Sequence, residues 1–342
     1  MQKNMDQILV SSWFNLHSSV PLSYVQPPES RPGELAVAAG KSIPVIDLGG
    51  HDRAETLQKV LKASEEYGFF QVINHGVSAD LIEDTLSIFK EFYAMPAKEK
   101  MSECSKDPNG SCKLYTSREI NSKDEVQYWR DTLRHACPPS GEYMEYWPQK
   151  PARYREVVGE YTQELRRLGL KILELICEGL GLAPGYFNGA LTENPTVLAH
   201  HYPPCPEPSL TLGSPKHRDP TVITILLQDK EINALQVLRD GEWIGVEPIP
   251  NAFVVNIGLL LQIISNGKLV GAEHRVVTNS RAARTTVAYF INPSNETIIE
   301  PAKTSINSSS SPKYKSISFE EFRRNFFTRG TDYVEELMNV IV

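Results

Sequence analysis

Thr221-Val222-Ile223-Thr224-Ile225-Leu226-Leu227 is the stretch on which the fold turns. β-Branched side chains pack well on a pleated surface and lose freedom in a helix, so this run predicts a strand. Downstream, residues 234–238 and 242–246 flank Asp240-Gly241, a pair suited to the positive φ angles of a tight hairpin turn. Residues 252–257, 274–277 and 284–291 supply further short strands. Many short strands separated by turns predict a sandwich or barrel, and a double-sheet jelly roll is the expected solution.

Immediately before the opening stretch stands His217-Arg218-Asp219; His274 opens one later strand and Arg284-Thr285-Thr286 opens the last. Alternate residues of a strand share a face, so His217 is expected to point with Asp219, and Arg284 with Thr286. Two imidazoles and one carboxylate gathered at the mouth of a jelly roll leave adjacent coordination positions open, the ligand set of non-haem Fe(II) oxygenases. A structural zinc site would call for four closed ligands and heavy cysteine use. Yet Cys104, Cys112, Cys137, Cys177 and Cys205 form no C-x-x-C pair. They are expected to be free, packed thiols in a reducing compartment. His75 lies in an Asn-His-Gly turn and is expected to be structural.

Outward from this core, residues 1–40 carry Pro21, Pro27, Pro28 and Pro32 and read as an extended lead-in with one short apolar helix candidate. Residues 43–48 predict a strand, 55–67 and 80–95 have helical spacing, and 69–73 read as a buried strand between them. A long amphipathic pattern over 154–182 predicts a helix bracing the β core. Residues 304–314, with Ser308-Ser309-Ser310-Ser311-Pro312, predict a solvated loop before a final helix near 319–327. There is no internal repeat and no boundary for a second independent domain. The expected organisation is a helical and strand-containing region over 41–190, a catalytic core over 191–300, and a C-terminal loop and helix over 301–342. The fold class is mainly β with flanking helices (α+β), its core a cupin-like double-stranded β-helix.

The chain has 342 residues and 41% hydrophobic content, enough for a sizeable core. Its 35 basic residues against 42 acidic ones give a net charge of −7, which argues against general affinity for nucleic acid or anionic lipid. The expected partner is a small molecule, and a monomer is expected. No apolar run reaches the length of a membrane span, and Met1-Gln2-Lys3-Asn4-Met5-Asp6 lacks the order of a secretory signal, so a cytoplasmic location is expected.

The spacing His217-x-Asp219…His274 with Arg284-x-Thr286 follows His201-Tyr202-Pro203-Pro204-Cys205-Pro206 and Gly68-Phe69-Phe70-Gln71-Val72-Ile73-Asn74-His75-Gly76. Together these motifs resemble the plant 2-oxoglutarate- and Fe(II)-dependent dioxygenases, from about Ile43 to about Phe326. Tyr128-Trp129-Arg130-Asp131-Thr132-Leu133, Ile176-Cys177-Glu178-Gly179-Leu180-Gly181-Leu182 and Ile299-Glu300-Pro301-Ala302-Lys303 are similar to the hyoscyamine 6-beta-hydroxylase-like subgroup. Substrate choice depends on a handful of pocket side chains, so an alkaloid substrate does not follow.

The resemblance implies Fe(II) on His217, Asp219 and His274, with 2-oxoglutarate as cosubstrate, O2 as oxidant and ascorbate as reductant. It implies that Arg284 pairs with the distal carboxylate of 2-oxoglutarate, a role suited to a planar guanidinium, with help from the hydroxyls of Thr286 and Tyr202. Where the family usually has Ser, Thr286 keeps the hydroxyl and adds a methyl. His200-His201-Tyr202 departs from the Asn-Tyr-Tyr of many relatives. By alternation His200 joins Tyr202 and is a further cosubstrate or substrate contact, whereas His201 points away. Phe290, four residues after Thr286, resembles a substrate-contacting aromatic; Leu114, Tyr115, Tyr128 and Trp129 are further pocket candidates. The implied reaction is hydroxylation of a specialised metabolite or hormone with release of succinate and CO2. Desaturation, epoxidation and O-demethylation use the same chemistry and stay open, as does a non-catalytic binding module; a zinc hydrolase would have no use for Arg284 and Thr286. Asp219 argues against a halogenating variant, which needs the carboxylate position vacant.

Overall fold

A computed structural model describes residues 9–32, 40–105, 110–118, 126–305, 311–330 and 333–338. Its elements run α1 (Val10–Trp13), β1 (Val45–Asp47), α2 (Arg53–Glu66), β2 (Phe69–Ile73), α3 (Ala79–Ala94), α4 (Ala97–Cys104), β3 (Cys112–Thr116), β4 (Asp131–Ala136) and α5 (Tyr154–Gly179). The chain continues through β5 (Thr196–Tyr202), β6 (Leu212–His217), β7 (Ile223–Leu227), β8 (Leu235–Arg239), β9 (Glu242–Gly245), β10 (Phe253–Ile257) and α6 (Leu259–Ile264). It ends with β11 (His274–Val277), β12 (Arg284–Ile291), β13 (Ile298–Ile299), β14 (Ile317–Ser318), α7 (Phe319–Arg329) and α8 (Tyr333–Glu336).

The major sheet has the order β1-β2-β10-β7-β12-β5-β4-β3, and the minor sheet is β6-β11-β8-β9. β1 and β2 pair in parallel, while the other pairings of both sheets are antiparallel. This is the expected jelly roll, extended at both edges of its major sheet by strands from the N-terminal region. Strands from before and after residue 190 therefore share one hydrogen-bonded layer.

Period-two alternation divides the core into two. Val287, Tyr289 and Ile291 of β12 point toward α5 and join Leu165, Leu168, Ile172 and Ile176 in the main cluster. On the opposite side, Tyr202, Leu212, Leu235, Val237, Val254 and Val276 fill the space between the sheets. Burying an aliphatic or aromatic side chain of this kind contributes about 1.5–3 kcal/mol, so the stripe of α5 is a major source of stability. Gly169 lets the helix approach closely, since a Cβ there would lie 2.3 Å from Ile291 Cδ1. Helices α2 and α3 begin where Asp52 and Ser78 accept from the backbone N–H groups of Glu55 and Leu81.

The lead-in is tied down rather than merely extended. Trp13, Tyr24 and Trp129 meet edge to face with centroids 5.4–5.5 Å apart. The buried carboxylate of Asp131 accepts from Val10 N–H at 2.9 Å and Ser11 N–H at 2.8 Å. Residues 1–8 and 33–39 of the expected lead-in, and 306–310 of the expected solvated loop, lie outside the described residues. Asp240 and Gly241 adopt φ of 50° and 79°, as the expected hairpin turn requires. All five cysteines are buried, and none forms a disulfide. Among the described residues, no helix is long and apolar enough to cross a membrane.

Candidate metal centre and cosubstrate site

His217 ends β6 and His274 begins β11, and the two are register partners across the minor sheet. Their ring centroids are 4.2 Å apart. Each Nδ1 faces the backbone carbonyl two residues earlier: Pro215 O at 2.8 Å for His217, Ala272 O at 3.2 Å for His274. A carbonyl only accepts, so each Nδ1 carries the proton and each Nε2 keeps its lone pair for another partner. Those Nε2 atoms lie 3.5 and 3.7 Å from Asp219 Oδ1.

Asp219 sits on the crossover from the minor sheet to the major one. Its Oδ2 accepts from Thr224 Oγ1 on β7 and from Asn256 Nδ2 on β10, both at 2.6 Å, which leaves Oδ1 facing the imidazoles. One donor atom from each residue lies within 4.8 Å of the other two. Strand alternation does not account for this, because β6 stops at His217. The turn into β7 sets the carboxylate, and its own carbonyl accepts from Leu259 N at 2.8 Å.

Burial, then the neighbouring His274, pushes the His217 pKa down to about 4, so its imidazole is neutral at physiological pH. Burial opposes ionisation of Asp219, but the adjacent imidazoles and the two hydrogen bonds win and hold its carboxyl below the usual range. Two imidazoles that each present Nε2 and one carboxylate that presents Oδ1, each braced through its second polar atom, fit a divalent transition metal. With only three protein donors, the set suits Fe(II) with open positions better than closed structural zinc.

Beside this cluster, Arg284 is the register partner of Tyr202, and Thr286 of His200. Arg284 is 1% exposed. Its Nη2 donates to Gln228 Oε1 at 2.8 Å, its guanidinium lies 5.4 Å from the Tyr202 ring, and its buried Nε has no partner. Asp229 is ion-paired with Lys90 at 2.8 Å instead. A buried cation with no ion pair of its own is costly, and an anion seated there would relieve the cost. Gly213 keeps Tyr202 in place, since a Cβ there would lie 2.6 Å from the tyrosine ring.

Tyr115, Thr132, His200 and Thr286 are successive register partners across β3, β4, β5 and β12, and so form one row on the inner face. His200 Nδ1 is 2.9 Å from Thr132 Oγ1. Burial, with Arg130 and Arg284 nearby, keeps that ring neutral. His201 points to the other face, as expected, where it stacks on Tyr93 at 4.6 Å and meets Thr285 Oγ1 at 3.0 Å. His75 is structural: Nε2 donates to Asn251 O at 2.8 Å and Nδ1 accepts from Val77 N–H at 3.2 Å.

Of the pocket candidates, Phe290 is half-buried beside its register partner Thr224, close to Asp219. Tyr128 packs in the inner cluster with Tyr202, its hydroxyl accepting from Arg118 Nη2 at 2.8 Å. Two candidates need correction. Leu114 lies one residue off the Tyr115 row and packs against the main core on the helix side. Trp129 is fully buried in the lead-in cluster, where its indole N–H donates to Pro203 O at 3.1 Å. Sequence reading missed Thr224, Gln228 and Asn256, although a lone polar residue in an apolar strand was a signal for Thr224 and Asn256. A cavity of about 710 Å³ lined by Lys100, His201 and Thr285 opens on the helix-facing side of β5 and β12, away from the cluster.

Comparison with known proteins agrees with this geometry. A family profile described as the 2OG-Fe(II) oxygenase superfamily matches residues 193–293, and one described as the non-haem dioxygenase in morphine synthesis N-terminal region matches 43–153. Hyoscyamine 6-dioxygenase of Hyoscyamus niger is 42% identical over 95% of this chain and 96% of its own length. Protein DOWNY MILDEW RESISTANCE 6 of Arabidopsis thaliana is 41% identical over 97% and 98%. The crystal structure of JOX2 in complex with 2OG, Fe and JA superposes with a TM-score of 0.85 at 34% identity, covering 94% of this chain and 95% of that one.

Proposed function

The chain belongs to the 2OG-Fe(II) oxygenase superfamily, and on that premise we propose that His217, Asp219 and His274 hold Fe(II) while Arg284, Thr286 and Tyr202 seat 2-oxoglutarate. It is a dioxygenase that depends on Fe(II) and 2-oxoglutarate and acts on a small molecule. Bound together, iron, cosubstrate and O2 supply the oxidising power for C–H hydroxylation, with succinate and CO2 as coproducts. The protein's part is positional and electrostatic.

His217 and His274 present their Nε2 lone pairs because two backbone carbonyls hold the Nδ1 protons. Asp219 offers Oδ1 because Thr224 and Asn256 occupy Oδ2. Arg284 answers the charge of a carboxylate in a place that excludes water, with Gln228 fixing the plane of its fork. His200, neutral and bonded to Thr132, adds a polar contact between cosubstrate and substrate, and Phe290, Tyr115 and Tyr128 line the substrate side. Hydroxylation of a specialised metabolite or hormone is the reading favoured here, with ascorbate as reductant, in a cytoplasmic monomer. The regions 41–190, 191–300 and 301–342 act as parts of one unit because they share sheet and core.

The observation that supports the reading most is the convergence of three braced donor atoms within 4.8 Å beside a buried, partly unpartnered guanidinium. Arg284→Lys tests the cosubstrate half. The ammonium keeps the charge and loses the fork, so the KM for 2-oxoglutarate is expected to rise about tenfold or more. An unchanged KM, measured as iron-dependent succinate formation, would reject this seat.

A further inference from the structure

One cation near the centre is left without a task by the assignments above. Arg130 immediately precedes β4, and alternation gives it the face of Thr132, which bonds His200. It lies one residue beyond the Asp131–His201 register pair, in line with Tyr202 and Arg284. Tyr202 therefore stands between two guanidiniums, Arg284 on the β12 side and Arg130 on the β4 side. Arg130 is half-buried, and the register places it on the inner face, at the end of the row that carries Thr132.

The mounting of Arg130 is specific. Its carbonyl accepts from Ser117 N–H at 2.9 Å and from Thr116 Oγ1 at 3.0 Å, and its own Nε donates to Ser117 O at 3.2 Å. Ser117 is fully buried with φ of 61°, a left-handed conformation that a non-glycine residue adopts at a cost. This strained residue holds Arg130 at two points, and Thr116 at a third. Among the described residues, the two terminal amino groups of Arg130 have no hydrogen-bond acceptor, and no carboxylate lies within ion-pair reach. A planar fork with its Nε tied back and its outer donors free matches a carboxylate.

We propose that Arg130 is a specificity-determining residue that receives a carboxylate of the substrate, so that the enzyme acts on small carboxylic acids; this rests on the function proposed above. The acid group docks on the β4 side of Tyr202, and the body of the molecule extends toward Phe290 and the iron. Arg284 remains reserved for the cosubstrate.

The test uses the full chain loaded with Fe(II). First, binding of Fe(II) and 2-oxoglutarate is measured by titration, and succinate formation without added substrate is recorded as the baseline; a chain that binds neither would overturn the proposed function itself, whatever Arg130 does. Next, a plant metabolite extract is split by ion exchange into acidic, neutral and basic pools, and each is scored for succinate formation above that baseline. Stimulation by the acidic pool, lost when the pool is converted to methyl esters, is expected. Stimulation by the neutral or basic pool, by the esters, or by no pool while the baseline runs, would overturn the proposal.

Arg130→Gln should then raise the KM for the active acids about tenfold or more, leaving the baseline rate and the 2-oxoglutarate KM unchanged. Arg130→Lys should restore part of the loss. A rise in the 2-oxoglutarate KM would instead make Arg130 a cosubstrate ligand and overturn the assignment. The pool assay on the wild-type enzyme decides the matter even if a variant fails to fold.

Discussion

The two faces of strand β12 are almost equally buried, yet they obey different rules. Toward α5, Val287, Tyr289 and Ile291 are at most 2% exposed; toward the minor sheet, Arg284 and Thr286 are 1% exposed. On the helix side the contacts are non-directional, and apolar residues of similar volume can exchange at modest cost. On the inner side the contacts are directional, and a buried polar atom left without its partner is expensive. Strand β10 repeats the division, with Phe253, Val255 and Ile257 in the main core and Asn256 bonded to Asp219. Depth of burial therefore does not mark the site. The unpartnered Nε of Arg284 and the single-purpose bonds of Asp219 do.

That contrast can be broken most sharply at His217. His217→Ala is expected to bring bound iron and succinate formation to background, while the metal-free thermal midpoint shifts by no more than about 4 °C, because the apolar core is untouched. Iron retained in the purified variant would show that the ligand assignment is mistaken. Next in size, Phe253→Ala on the helix side should lower stability by about 3–5 kcal/mol in chemical denaturation and leave the iron affinity of the folded fraction unaltered. A loss of iron affinity without a loss of stability would mean that the two faces are not separable. Smallest is Asn256→Ala, three residues along the same strand, which deprives Asp219 Oδ2 of one of its donors. Iron affinity should weaken about 10–100-fold in a metal-competition titration, and an unaltered affinity would show that Thr224 alone suffices.

Much of this was legible in the sequence where pattern and punctuation agreed. Strands over 69–73, 274–277 and 284–291 were readable to the residue, because alternating or β-branched runs end at turns. Elements that escaped have physical reasons. β6 contains Gly213, Pro215 and Lys216, poor strand formers that hold their shape through pairing with β11. α6 reads Leu-Leu-Leu-Gln-Ile-Ile, so nearly uniform that no period shows. In the site, the metal cluster and Arg284 announce themselves by residue type and spacing, whereas Thr224, Gln228 and Asn256 matter only through the register of strands distant in sequence. Leu114 and Trp129 were misread because each neighbours a residue on the inner side, and one step along a strand or its approach reverses the face.

The pairing of His217 with His274 as register partners carries a consequence for how this lineage can drift. Beyond that pair, β11 and β6 fall out of step at Val276 and again at Val277. A residue gained or lost inside either strand next to the imidazoles would swing one of them to the wrong side of the sheet. Insertions and deletions between the two histidines are therefore expected to be tolerated at sites that do not transmit a shift, such as the Asp240-Gly241 turn between β8 and β9. Added length at that tip is expected to leave iron binding intact, whereas one residue inserted in β6 beside His217 is expected to abolish it.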